Sequence, residues 1–218
     1  PETHRLDFVV DGVPVRTVAT PDDLPRGPLQ YAAATSRALF FKVDGDDFDG
    51  YLARLDEAGR VDERYALPGP PWRHAGLLRA WGDSLLSLAG YRPVIDVLPP
   101  GGTRLDTLAL AGFDSPMLPR SYAFLRGDTH APPLLSSAAA PAGDRLFVLN
   151  LRAGWLRIDV YDRQGHLQAV LVQEDPQYDR QFFPMDLAVR RAEDGAYEIA
   201  VAVPKPRPAL HLYRWPGR

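Results

Sequence analysis

With 218 residues, 45% of them hydrophobic, the chain is long enough to bury a core and too apolar to be disordered throughout. The formal net charge is −3, and the 25 basic residues form no block and include two lysines, Lys42 and Lys205, which excludes nucleic acid as a partner. No apolar run approaches the ~18 residues that span a bilayer, and zero cysteines exclude disulfides, thiolate metal sites and a cysteine nucleophile.

Proline is the unusual component. There are 22, about twice the usual share of roughly 5%, which predicts short elements and many loops, since proline is excluded from helix interiors and central strands. The composition fits a cytoplasmic and a periplasmic or exported protein equally. The chain starts at Pro1 rather than methionine, which points to an upstream segment removed by processing or truncation, a signal peptide being one such segment.

The first element in chain order is a hairpin over residues 5–20, turning at Asp11-Gly12. Pro14 puts its second strand at an edge. A first module over residues 30–68 has predicted strands at 30–34, 39–43, 51–55 and 61–67. A second, over 72–112, has them at 75–80, 85–88, 94–98 and 105–110. Residues 113–131 break the rhythm with two prolines and the apolar piece Tyr122-Ala123-Phe124-Leu125, read as an insertion or a degenerate strand. The third module, 134–175, is the clearest: three apolar runs are joined by Arg152-Ala153-Gly154 and by Asp162-Arg163-Gln164-Gly165, an antiparallel meander. A fourth, 183–216, is one strand short.

The segments following the turns align as GRVDERYALP from Gly59, GTRLDTLALAG from Gly102 and GHLQAVLVQED from Gly165, with GVPVRTVATPD from Gly12 as a looser match. A repeat of about 40 residues with four strands per unit is what β-propeller blades require. The predicted fold is therefore a single all-β, propeller-like domain over residues 1–218. It has four blades, or five if the insertion hides one, with an N-terminal strand from 5–20 completing the last blade and closing the ring. Leu39, Phe41, Leu146, Val148, Ile158, Val160 and Val201 are expected to be buried between blades.

The turn Val160-Tyr161-Asp162-Arg163-Gln164-Gly165, with LFVLN before it and HLQAVLV after it, resembles bacterial six-bladed propellers of the NHL-like kind. Leu55-Asp56-Glu57-Ala58-Gly59 and the FPMDLAV opening at Phe183 follow the same habit. The resemblance implies fold more than activity, because propellers host many functions.

Two groups of residues are candidate sites. Tyr31, His74 and Asp186 fall at the starts of innermost strands, which in a propeller ring one mouth of the central channel. A His, Asp and Tyr converging there could hold a metal or act as acid and base, although Asp186 serving a neighbouring backbone is the more common outcome. Asp44, Asp46, Asp47 and Asp49 form an acidic hairpin loop of the kind that takes calcium, but Phe48 stands where an EF-hand needs an oxygen ligand. The histidines are scattered singly, and the tryptophans are spread among the modules, as in inter-blade packing. The functional expectation is a binding or scaffolding module for a protein or peptide. The alternatives are a lyase or lactone hydrolase type of enzyme with a metal in the channel, or a segment of a larger enzyme.

Overall fold

The third module folds as expected, into β11 (Ser136–Ala142), β12 (Arg145–Arg152), β13 (Trp155–Tyr161) and β14 (Leu167–Val172), a four-stranded antiparallel meander. Residues 5–19, 24, 31–44, 50–67, 76–152, 154–174 and 182–218 are described in the computed structural model. β12 and β13 are buried on both faces, whereas β14 alternates half-buried and exposed residues. That contrast is what a blade imposes: middle strands are sandwiched by neighbouring sheets, and the outermost strand meets water on one side.

The first module supplies β3 (Tyr31–Ala34), β4 (Leu39–Asp44), β5 (Gly50–Leu55) and β6 (Val61–Ala66). The second supplies β7 (Leu78–Trp81), β8 (Ser84–Leu88), β9 (Val94–Leu98) and β10 (Asp106–Ala109). The fourth supplies β15 (Asp186–Arg191), β16 (Tyr197–Val203) and β17 (Ala209–Trp215). Each sheet is an antiparallel meander in chain order, and the innermost strands stack in sequence, β3 on β7, β7 on β11 and β11 on β15. Their alanines (Ala33, Ala138, Ala139, Ala140) allow close approach near the axis. This is a β-propeller arrangement of four blades.

Inter-blade cores hold the stack. Phe40, Leu52, Leu78 and Leu85 fill the space between blades one and two. Leu86, Ile95, Val148 and Tyr161 fill that between two and three. Phe147, Ile158, Tyr197 and Val201 fill that between three and four. Phe41, Leu146, Val148, Ile158, Val160 and Val201 are buried, and Leu39 is partly buried at the edge of its cluster. Truncating Val148 to alanine should cost about 1–3 kcal/mol through lost transfer energy and a residual cavity. A urea midpoint that does not move would remove this strand from the core.

The turns explain two glycines. In Asp162–Gly165 the backbone closes through Asp162 N to His166 O (3.1 Å) and Gly165 N to Asp162 O (3.1 Å), with Gly165 at φ +80°. A Cβ on Gly165 would run into the carbonyl of Ala109 in blade two. Asp56–Gly59 repeats the geometry, with Gly59 at φ +81° and Val18 packed where its Cβ would stand.

The sequence expectations are corrected in two places. Residues 113–131 contain neither a hidden blade nor a degenerate strand: Tyr122–Leu125 lies in α1 (Leu118–Leu125), a helix with proline in its first turn. Nor does the N-terminal segment close the ring. β1 (Arg5–Val10) and β2 (Val13–Ala19) pair with each other in a separate two-stranded sheet, and among the described residues the last sheet has three strands. Contacts with blade one anchor the hairpin. Arg16 donates to the Glu57 carbonyl, and Val18 seats on Gly59.

Candidate functional site

The starts of β7, β11 and β15 converge at one end of the stack, where a propeller has the mouth of its channel. Arg79, the second residue of β7, reaches across to Asp186, the first of β15, with Nη2 donating to both carboxylate oxygens (2.8 and 2.9 Å). Asp186 also accepts from the backbone N–H of Leu187 (2.8 Å). Ser137 of β11 donates to the Pro184 carbonyl (3.0 Å), tying the third blade to the entry of the fourth. The Arg79 and Asp186 side chains are 31% and 46% exposed, so the pair is solvent-screened.

Tyr31 begins β3 opposite Lys42 and lies half-buried against the core between blades one and two. Lys42 is 2% exposed and donates to the carbonyls of Gly76 (2.7 Å) and Leu88 (3.2 Å), joining the first blade to the second at this end. Among the described residues, no hydrogen bond joins Tyr31 to Asp186. His74 lies outside the described residues, as do Asp46, Asp47 and Asp49 and the side chain of Asp44. No group of three or more metal-ligating side chains occurs among the described residues.

Two buried aspartates went unnoticed in the sequence. Asp96 of β9 and Asp159 of β13 occupy the same place in consecutive blades, each within Ile-Asp-Val, and both are fully buried. Ladder register sets Asp96 opposite Ser87, itself opposite Leu78, the first residue of β7. Asn150 and Arg157 stand level with Ser136, the first residue of β11, with Asp159 two residues beyond. Thr107 donates to Asp96 (3.0 Å). Asp159 accepts from Asn150 Nδ2 (2.6 Å) and from Arg157 Nε (2.7 Å). Burial pulls the Arg157 guanidinium down, but the hydrogen bonds and charges of Asp159 and Asp114 together outweigh it, so its pKa is raised. Tyr161 lies in the same interface, where burial pushes its phenol up.

The insertion is tied to this network through Asp114. Its carbonyl accepts from Asn150 (2.9 Å) and Arg152 (2.6 Å), and its carboxylate from Arg152 (2.9 Å) and Arg157 (3.1 Å). The Arg152 hydrogen bond is the main reason the Asp114 carboxyl sits below its ordinary value. A group with a lowered folded pKa stabilises above its unfolded value and loses that contribution as pH falls through the folded one. Asp114→Asn should therefore lower stability by no more than about 1 kcal/mol at neutral pH, because the carboxylate is exposed. The gap from wild type should close below about pH 4, measured as urea midpoints across an acid series. A gap that persists at low pH would show that the tie is not electrostatic.

The opposite end of the stack is tied by structural contacts. Asp83 accepts from Ser36 N (3.2 Å) and Oγ (2.5 Å), and Trp81 Nε1 donates to the Gly143 carbonyl (2.8 Å) beneath the Arg163 guanidinium. Trp215 packs against Phe147 and Tyr197. Both tryptophans thus serve inter-blade packing.

Four stacked antiparallel blades around a polar-rimmed axis define a protein of the β-propeller class. Its solved neighbours agree. Glutaminyl cyclase from Myxococcus xanthus superposes with a TM-score of 0.53 at 14% identity, over 97% of this chain and 82% of that one. Virginiamycin B lyase from Staphylococcus aureus gives 0.53 at 10% identity, and a catalytically inactive form of it with quinupristin gives 0.56. Those matches cover 97% of this chain and 63% of the lyase, so this chain spans less than two thirds of the lyase's length. At such identities the likeness shows the fold. No family model matches the chain, and no curated protein does. No helix among the described residues is long and apolar enough to cross a membrane.

Proposed function

We propose that this chain is a binding or scaffolding propeller that takes a protein or peptide segment in extended form at its last blade. The observation that carries this reading is the bare edge of β17. The other three blades have a fourth strand at that place, and here no strand among the described residues pairs with β17, so its edge presents backbone groups without a ladder partner there. Leu210 and Leu212 on this edge are 64% and 74% exposed. Beside them runs a groove of about 590 Å³ lined by Ala188, Ala200, Arg190, Glu198 and Arg214. Strand addition to such an edge draws affinity from main-chain hydrogen bonds and specificity from alternate side chains. Within propellers, the Asp-x-x-Gly turns at Asp56 and Asp162 support kinship with NHL-like repeats.

A second reading is an enzyme of the lyase or lactone hydrolase type with calcium or another metal in the channel. Asp186 at the mouth favours it, and two of the structural neighbours are named for reactions. Weighing against it, Asp186 is already held by Arg79, Asp159 by Arg157 and Asn150, and Asp96 by Thr107. A metal or a general-base role would have to displace those donors.

An arrayed peptide library tests the choice. Extended peptides with alternating apolar residues should bind, and Leu212→Lys should abolish their binding without shifting the thermal midpoint. Failure of every peptide, together with stoichiometric metal in the purified protein that is lost in the His74→Ala, Asp186→Ala double variant, would replace this reading by the second.

A further inference from the structure

Besides the β17 edge, another strand edge has no ladder partner among the described residues. The β1–β2 hairpin exposes Val9, Val10, Val13 and Val15 (54–61%), and an isolated two-stranded hairpin is marginal in water. Its anchorage to the Asp56–Gly59 turn engages β2 through Arg16 and Val18, leaving β1 as the outer edge. The pairing register skips Val15, so the bulge falls on β2 and β1 keeps a regular alternation. Pro14 deprives β2 of a backbone donor, which makes β1 the better edge for further pairing.

β1 also matches what the last blade lacks. Set antiparallel to β17 with Asp7 opposite Arg214, it brings Val9 opposite Leu212 on the same face. Phe8 and Val10 then meet Tyr213 and His211 on the other face, the one that continues the core between blades three and four. Asp7 and Arg214 have side chains 32% and 59% exposed, and each would exchange a solvent-screened surface ion pair, with Arg5 and with Asp194, for the other. Opposite charges and apolar pairs directly across a ladder stabilise it, and like charges there destabilise it.

We propose that the occupant of the β17 edge is β1 of a second copy of this chain, pairing in that register. Reciprocal exchange then closes a two-fold dimer and removes both bare edges at once. The proposal rests on reading the β17 edge as a binding surface, and it names the partner.

Sedimentation velocity of the purified full-length chain over a concentration series tests it. Wild type should associate to a dimer, and Asp7→Arg and Arg214→Asp should each weaken the dimer about tenfold or more by placing like charges across the ladder. Mixing the two variants should restore association between them, since each interface of the mixed pair regains one cation and one anion. Closure of β1 onto β17 within one chain cannot produce that restoration. Leu212→Lys, with the fold checked by circular dichroism, should also give a monomer. A dimer indifferent to all three substitutions, or variants that stay monomeric when mixed, would overturn the pairing. A wild-type monomer that still binds extended peptides would remove the second copy and leave the edge-binding reading intact. A wild-type monomer that binds none would remove both.

Discussion

Asp159→Ala should lower stability by about 3–5 kcal/mol, the loss expected when one partner of a buried ion pair is removed and the other stays behind. Arg157 would keep a single carboxylate contact, at 3.1 Å to the exposed Asp114, and Asn150 would lose the acceptor it meets at 2.6 Å. The cost is one of desolvation without compensation, and it does not mean that the pair contributes that much. Replacing both partners, Arg157→Met with Asp159→Leu, should therefore recover a large part of the loss, because apolar groups of similar volume often substitute for buried pairs without penalty. Chemical denaturation of the single and double variants reads both outcomes. A single variant within about 1 kcal/mol of wild type would mean that water reaches the site.

Phe147→Ala should cost a comparable 3–5 kcal/mol. Phe147 is fully buried between blades three and four, with the Tyr197 ring at 5.1 Å and the Trp215 ring at 5.9 Å edge-on. Its loss opens a cavity between sheets that cannot collapse without moving a whole blade. The urea midpoint should fall, and amide exchange in β16 and β17 should accelerate more than in β4 and β5. Uniform acceleration would mean that the blades unfold as one unit rather than loosening at this interface.

Strand positions in the four blades were legible to within a residue or two over most of the chain, for a physical reason. Outer strands such as Leu167–Val172 alternate because one face meets water, and the Asp-x-x-Gly turns need a residue at positive φ, so both signals are local. The helix at Leu118–Leu125 was hidden because eight residues make barely two turns of periodicity and Pro119 reads as a breaker. Ring closure was misread because a strand's need for a partner is visible in sequence but the competing anchor is not. Val18 against Gly59 joins residues 41 apart.

The same limit applied to the channel mouth. Asp186 stood out at a strand start, but its partner Arg79 lies 107 residues away and belongs to no motif. Lys42 carried a faint signal, being one of two lysines in an arginine-rich chain and set within an apolar strand. The clearest missed sign was the repeated Ile-Asp-Val at Ile95–Val97 and Ile158–Val160. A carboxylate flanked by apolar residues inside a strand, at one place in two consecutive modules, has to be buried and paired.

Hydrogen exchange along β17 tests the central claim, that the last blade of this propeller offers a bare edge for an added strand. In dilute protein, the β17 amides that do not bond to β16 should exchange as fast as solvent-exposed loops. They should become protected, in an alternating pattern, as an extended strand is supplied, either as added peptide or as higher protein concentration. Protection of every β17 amide in dilute protein would show that the edge is already covered, and fast exchange unaffected by any added strand would show that it binds none.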